Sequence, residues 1–402
     1  MNVNRLKCVC LLVVMAMSAA VLAQSLPAGS LGLSDKELAR RLVASEMKRS
    51  PMAWSLEGAP APKWTYTIGL ELEAMLMCVD ADAYANTYLD ALIDADGNIC
   101  GYRRQDYKLD DINSGKLVMR MMERAMRNGR KPSDIQRLRH VADTLYSQFD
   151  TQPRTAEGGF WHKRIYPEQM WLDGLYMSAP FRVEYSMKYL SDASVREGVF
   201  EDVVSQFRLV YEHTLCPQCR LPHHAWDSAH KQMWADKDSG RSAHAWGRAV
   251  GWYMMALADV MALRQDRRLE DIFREISSVM LTLQDRQNGC WQQVLDCTGR
   301  DGNYFEMSAS GMIAYSWLKG VRMGILPKKY GKAAHRTLEG IKREFLFYNN
   351  ETGSFTLTNI CAVAGLSDDR NGSYEYYINE SRRDNDPKGM GPLIMALTLS
   401  DK

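Results

Sequence analysis

A mostly helical protein, built as a ring of about six helical hairpins, is what this sequence predicts. Three observations lead there. Apolar residues recur at helical spacing: Leu138, Val141 and Leu145 at i, i+3 and i+7; Val250, Met254, Leu257 and Met261 at i, i+4, i+7 and i+11; Ala314, Trp317, Leu318 and Val321 at i, i+3, i+4 and i+7. Each set draws one apolar stripe along a helix. Alternating apolar and polar runs, the mark of half-buried strands, are rare and short. Polar stretches rich in Gly, Asp, Asn, Trp and His return at intervals between the helical ones. At roughly 60 residues per helix pair the chain makes about six pairs, and a ring of pairs gathers alternate loops at one end. The letters carry no strict repeat, so the ring follows from the spacing of these clusters.

The chain opens with Met1 to Ala23, where Arg5 and Lys7 precede an apolar run from Cys8 to Val21 and a Val-Leu-Ala step before Gln24. This has the form of a secretory signal peptide, with residues 24–402 as one domain behind it, exported to the periplasm or the medium. The apolar run is short for a membrane span. Its removal takes two basic residues from a chain with 50 Lys+Arg and 49 Asp+Glu, so the mature protein is close to neutral. That argues against a nucleic-acid partner, and against a membrane surface once the signal is gone, since both call for a basic patch. At 46% hydrophobic residues and with no Pro/Gly/Ser-rich linker, the chain can bury one large core.

Of the nine cysteines, Cys8 and Cys10 fall in the signal and an odd number remains, which excludes full internal pairing. Most are expected as small buried residues. Cys216-Pro-Gln-Cys219 has zinc-knuckle or redox spacing, but no second Cys-x-x-Cys completes a zinc site, so a local disulfide or plain loop cysteines is the expectation.

Ser34-Asp-Lys-Glu37 is a capping box that opens the first helix. The clusters then follow in order: Trp64 to Gly69, Tyr107 to Lys116, Gly158 to Phe181, His223 to Asp227, His244 to Tyr253, Cys290 to Asp296, Asn303 to Ser310 and Gly372 to Tyr377.

The third cluster holds Asp173 beside Trp171 and Leu172, with His162 and Lys163 just upstream. It reads as a sugar site. Indole faces stack on pyranose rings, His162 and Lys163 can bind an acidic sugar's carboxylate, and a carboxyl group crowded by Trp171 and Leu172 can hold a proton near neutral pH. Asp173 before Gly-Leu-Tyr-Met has equally the form of a helix N-cap, and Trp171, Leu175 and Met177 that of core. Asp110-Asp111 is a second acidic site, and glycoside cleavage commonly needs two carboxyl groups facing one substrate. The same Leu-Asp-Asp-Ile-Asn-Ser-Gly also reads as a turn followed by a helix cap. His223, His224, Asp227 and His244 are candidate metal ligands, but His-Glu-x-x-His is absent and Trp226, Trp234, Trp246 and Trp252 interleave with them, which suits a sugar better; no metal and no cofactor is expected. Arg248, between Trp246-Gly and an apolar helix, is either paired structurally or held ready to fork onto a carboxylate. Gly-x-Ser-x-Gly and phosphate-binding glycine loops do not occur.

These motifs together resemble glycoside hydrolase family 105, the unsaturated rhamnogalacturonyl hydrolases, and more distantly the unsaturated glucuronyl hydrolases of family 88. The resemblance runs through Trp64-Thr-Tyr66, Gln152-Pro-Arg-Thr-Ala-Glu-Gly-Gly-Phe-Trp-His-Lys163, Met170-Trp-Leu-Asp-Gly-Leu-Tyr-Met177, Trp246-Gly-Arg-Ala-Val-Gly-Trp-Tyr253 and Asp384-Asn-Asp-Pro-Lys-Gly-Met-Gly391. It implies an (α/α)6 barrel acting on short oligosaccharides that a lyase has left with a 4,5-unsaturated uronic acid at the non-reducing end. By the same resemblance Asp173 is the general acid/base that protonates C4 and helps water add at C5, and Asp110 is the second acidic residue. His224, Trp246 and Arg248 match substrate-contacting positions, Arg248 as a candidate for the uronate carboxylate; His162, Lys163 and Trp171 match further ones. The family chemistry needs neither a glycosyl-enzyme nor a metal. Ala364 to Ser373 departs from the family pattern, which has a more glycine-rich loop there. Rival readings are an unsaturated glucuronyl hydrolase acting on ulvan or glycosaminoglycan fragments, a conventional inverting glycosidase, and a secreted carbohydrate-binding protein without turnover.

Overall fold

The computed structural model describes residues 25–400, and the expected signal peptide lies outside them. In chain order the elements are β1 (Ser25–Pro27), α1 (Asp35–Arg49), α2 (Tyr66–Cys78), α3 (Asp82–Leu92), the one-turn α4 (Leu109–Ile112), α5 (Gly115–Arg127), α6 (Pro132–Tyr146), β2 (Gln169–Trp171), α7 (Leu172–Tyr189), α8 (Ala193–Thr214), β3 (Ala225–Asp227), α9 (Gly247–Leu263), α10 (Arg267–Leu283), α11 (Met307–Arg322), α12 (Lys328–Glu344), β4 (Leu346–Asn349), β5 (Ser354–Leu357), α13 (Tyr374–Asn379) and α14 (Pro387–Ser400). The capping box is present: the Glu37 N–H donates to Ser34 Oγ at 3.2 Å.

Six helices close on one another in the circuit α2, α5, α7, α9, α11, α14 and back to α2. They form an inner ring. Around it α6 packs on α5, α8 on α7, α10 on α9 and α12 on α11, while α3 rests against α5. This is the helical barrel the sequence predicts, and its two layers have different compositions. α9 is buried nearly all round, whereas α10 buries a single stripe of Leu269, Ile272, Phe273, Ile276 and Met280. Inner helices touch neighbours on every side; outer ones face water on one. The connections pack closely on the outer helices: a Cβ on Gly340 of α12 would fall 1.8 Å from the carbonyl oxygen of Asn288, in the 284–306 connection.

The last pair joins the two ends of the described chain. α1 packs on α14 as well as on α2. Lys342 Nζ and Ser400 Oγ both donate to Asp35, each at 2.7 Å. β1 pairs antiparallel with β4, which pairs with β5.

Inner-to-outer connections are short, residues 79–81, 128–131, 190–192, 264–266 and 323–327. Those leading back into inner helices are long, residues 50–65, 93–114, 147–171, 215–246, 284–306 and 345–386. The clusters singled out in the sequence therefore gather at one end, around the N-termini of the inner helices. A cavity of about 420 Å³ opens at the other end, where Glu73, Lys116, Arg120, Asp259 and Lys319 line it, and holds none of the expected site residues.

All seven described cysteines carry free thiols; Cys216, Cys290 and Cys361 are buried, Cys78, Cys219 and Cys297 half-buried, and Cys100 exposed. The expectation that most are buried holds for those three only, and the local disulfide at Cys216 and Cys219 is not formed.

Candidate active site

Asp173 lies in the first turn of α7, one residue beyond Leu172. A strand pair sets it there: β2 runs antiparallel to β3 with Trp171 opposite Ala225. The Leu172 N–H that opens α7 donates to the His224 carbonyl at 3.1 Å, so one backbone junction fixes both His224 and Asp173. Trp171 occupies the cap position and no side chain caps the helix, which corrects the N-cap reading of Asp173. Its Oδ2 is buried without a hydrogen-bond partner, the kind of exception that marks a working group.

His224 is fully buried. Its Nε2 approaches Asp173 Oδ2 at 3.3 Å, angled so that the two do not form a hydrogen bond. Its Nδ1 meets the Tyr377 hydroxyl at 2.8 Å. Trp171 and Trp246 pack against the imidazole with ring centroids 5.2 and 4.7 Å away. The ring is held from several sides, with Nε2 directed toward the carboxylate.

Asp110 sits within the one-turn helix α4 and caps nothing. Lys163 Nζ lies 2.6 Å from its Oδ2 and His162 Nε2 3.2 Å from its Oδ1. Burial pushes the Asp110 carboxyl up, but Lys163 and then His162 outweigh it and hold the group well below the usual carboxylate range. The charge of Lys163 is thus taken up by Asp110, which corrects the reading of Lys163 and His162 as free receptors for a substrate carboxylate. Next to it, burial pushes Asp111 up to about 6.

The tryptophans are walls more than platforms. Trp171 is 6% exposed and stacks on both His162 and Tyr166, with centroids at 4.9 Å in each case. Trp226, Trp234, Trp246 and Trp252 are buried as well. A buried indole needs a partner for its N–H, and Gln169 and Gln293 accept from Trp171 and Trp246. The atypical 364–373 loop closes over this wall, where Leu366 joins Trp171 and Trp234 in a small apolar cluster.

Arg248, in the first turn of α9, is 2% exposed. Its Nη1 donates to the Cys361 carbonyl and to Ser308 Oγ, and its guanidinium lies 4.7 Å from the Trp246 ring centroid. Arg248 is thus paired structurally in this structure, with the Cys361 carbonyl and Ser308. Glu306 completes that floor: it caps α11 through the Ala309 N–H at 2.7 Å and accepts from the Cys361 N–H at 3.0 Å. Asp227 is no metal ligand, because its carboxylate takes the backbone N–H groups of Ala229, Lys231 and Gln232.

This helical barrel has known counterparts. A family 105 glycoside hydrolase from C. acetobutylicum ATCC 824 is 33% identical and superposes with a TM-score of 0.81 over 90% of this chain and 99% of that one. Residues 38–400 match the family described as Glycosyl Hydrolase Family 88. The chain belongs to the glycoside hydrolases of families 88 and 105. Protein Atu3128 of Agrobacterium fabrum is 36% identical to this hydrolase over 234 residues, 56% of this chain and 98% of that protein. An unsaturated glucuronyl hydrolase from Bacillus sp. GL1, at 13% identity, shares the fold with a TM-score of 0.63 over 89% of this chain and 94% of its own.

The same end of the barrel also holds charged and polar residues to which the sequence reading gave no role. Burial, then the charges of Asp110, Asp173 and Asp386, push the Tyr66 hydroxyl well above its usual range, with Arg248 opposing them. Tyr66 therefore sits among the site's charged groups. Asp386 and Lys388, a buried pair 2.7 Å apart, open α14 on the same end. Trp64-Thr-Tyr66 and Asp384-Asn-Asp-Pro-Lys388 were visible as motifs, but nothing in the letters brought Tyr66 near Asp173 or paired Asp386 with Lys388.

Proposed function

We propose that this hydrolase removes a 4,5-unsaturated galacturonyl residue from the non-reducing end of lyase-generated rhamnogalacturonan oligosaccharides, by hydrating the enol ether and not by displacement at the anomeric carbon. The observation that carries it is the asymmetry of the two carboxyl groups. Asp110 is locked as an anion by Lys163 and His162. Asp173 keeps a buried oxygen without a hydrogen-bond partner, close to His224. Asp110 is thus held as the charged group, while Asp173 keeps an unpaired oxygen for the reacting atoms, a division of labour that suits acid catalysis on an alkene.

Asp173 gives its proton to C4, and the cation that develops at C5 is stabilised by the ring oxygen and by nearby anionic Asp110. Asp173, now a carboxylate, takes a proton from the water that adds at C5. The resulting hemiketal opens, breaking the bond from C5 to the ring oxygen, and the hemiacetal left at C1 expels the shortened oligosaccharide. The His224 carbonyl, by accepting the first N–H of α7, anchors the turn that carries Asp173, and the Tyr66 hydroxyl remains protonated as a donor within the site. With Met1 to Ala23 read as an export signal, the reaction takes place outside the cytoplasm.

The test is the ultraviolet absorbance of the conjugated unsaturated uronate, followed on lyase-digested rhamnogalacturonan with wild type and Asp173→Asn. Wild type should bleach it and the variant should be slower by about a thousandfold or more, within the range for losing a general acid. Bleaching confined to ulvan or glycosaminoglycan digests would move the substrate to glucuronyl units and keep the mechanism. Cleavage of saturated substrates would favour the inverting glycosidase, and binding without bleaching the carbohydrate-binding protein.

A further inference from the structure

Among the described residues two groups of side chains have metal-ligand chemistry that the reaction does not use; in one, His244, Asp296 and Cys297, the His244 Nδ1 already lies 2.7 Å from Asp296 Oδ2, and the other is better arranged. Cys216, Cys219 and His223 offer two sulfurs and a ring nitrogen all within 4.8 Å of one another. The turn is built to bring them together: the Arg220 N–H donates to the Cys216 carbonyl at 2.8 Å and the Cys216 N–H to the Leu221 carbonyl at 3.0 Å. Arg220 takes the left-handed conformation, φ 57°, which turns the chain back on itself just after the second cysteine. His223 is presented by its other nitrogen, since Nδ1 lies 2.6 Å from the Ser242 carbonyl. That contact makes Nδ1 the donor and leaves the Nε2 lone pair facing Cys219 Sγ at 3.6 Å. In a tetrahedral zinc site, ordinary zinc–sulfur and zinc–nitrogen bonds put a sulfur and a nitrogen ligand about 3.5 Å apart.

We propose that Cys216, Cys219 and His223 bind one Zn²⁺ through three protein ligands, with the fourth position left to solvent. Two thiolates neutralise the ion, sulfur and imidazole are the donors it prefers, and the Ser242 carbonyl supplies the outer contact that fixes the histidine tautomer. This revises the expectation of a metal-free chain without assigning the metal any catalytic step. The ion would clamp the stretch that leaves α8, where the His223 N–H donates to the Thr214 carbonyl at 2.9 Å. The next residue is His224, whose carbonyl receives the first N–H of α7. The clamp therefore holds the junction on which Asp173 stands.

Metal content and cobalt spectra test this on the whole protein. Purified from zinc-supplemented cells, the chain should carry about one Zn²⁺ that survives gel filtration. Exchange for Co²⁺ should give tetrahedral ligand-field bands and a thiolate charge-transfer band. Cys219→Ser should reduce that band to about half or abolish it, and Cys297→Ser should leave it unchanged. If Cys219→Ser fails to fold, the charge-transfer intensity of wild type, read as two thiolates against none, still decides. The proposal is overturned if wild type binds neither ion, if the band depends on Cys297 instead of Cys219, or if Cys216 and Cys219 form a disulfide whose reduction does not restore Co²⁺ binding.

Discussion

Replacing Lys163 with Met is expected to destabilise the fold by about 3 kcal/mol near neutral pH, and by less as the pH falls. Lys163 Nζ lies 2.6 Å from Asp110 Oδ2, with the side chains 21% and 18% exposed. Unit charges at that separation attract by about 6 kcal/mol at an effective dielectric constant of about 20, and the solvation both groups gave up takes back roughly half. Met keeps the length of the apolar stem, so the change is mainly one of charge. It leaves a buried carboxylate facing only His162, at 3.2 Å. In wild type the folded-state pKa of Asp110 lies below its unfolded value, so the pair's stabilisation is present above about pH 4 and is lost as the pH drops further. Without Lys163 burial dominates and the folded pKa rises above the unfolded one. The variant then loses stability as the pH climbs past about 4. The gap between the two proteins is therefore widest near pH 8, is still large at pH 4, and closes only well below that, as the wild-type Asp110 carboxylate takes up its proton. Urea unfolding followed by tryptophan fluorescence at several pH values measures it, and the double variant with Asp110→Asn should recover most of the loss. A deficit that does not change with pH, or one below about 0.5 kcal/mol at pH 8, would refute the assignment of Lys163 to Asp110.

Tyr377→Phe removes the hydroxyl at His224 Nδ1, 2.8 Å away; kcat should fall about tenfold with KM little changed, and a change confined to KM would mean that Tyr377 acts on binding instead. Gly340→Ala should cost more than about 2 kcal/mol despite alanine's better helix propensity, because its Cβ would meet the Asn288 backbone oxygen at 1.8 Å. A thermal midpoint equal to or above wild type would show that the loop yields. Burial holds Asp111 at about 6, so its stabilising contribution is complete below about pH 4 and is lost as the pH rises through that value. Asp111→Asn should therefore be more stable than wild type by about 1–2 kcal/mol above pH 7 and nearly equal at pH 4, as paired melting curves would reveal.

Helices, their stripes and the end of the barrel that carries the chemistry were legible, because periodicity and cluster spacing are local or regular properties. The position of Asp173 at the start of a helix was legible for the same reason, from Trp171-Leu-Asp-Gly174 and the run behind it. The partners of the charged groups were not. A lysine beside an acidic sugar and a lysine beside its own protein's aspartate look the same in letters, and Lys163 meets Asp110 only through the fold. Arg248 left the same choice open, and its place beneath Trp246 follows from Cys361, 113 positions along the chain. Tryptophans interleaved with polar residues suggested stacking platforms, but a large ring is as easily buried as offered, and here the indoles are buried. The pairing of α1 with α14 was out of reach of any local pattern, since it depends on residues at opposite ends of the chain.

That seam has a consequence for how the molecule comes into being. Asp35 is made early and must wait for Lys342 and Ser400, 307 and 365 positions later. Until α14 emerges, the inner circuit is open between α2 and α11 and the apolar sides of both stay wet. Synthesis from one end to the other thus passes through a long interval in which the protein is an unclosed, adhesive arc. Completion arrives in a single late step, so a chain that stops short of α14 should aggregate, while one reopened at a short connection such as residues 264–266, with its ends joined at the seam, should still close.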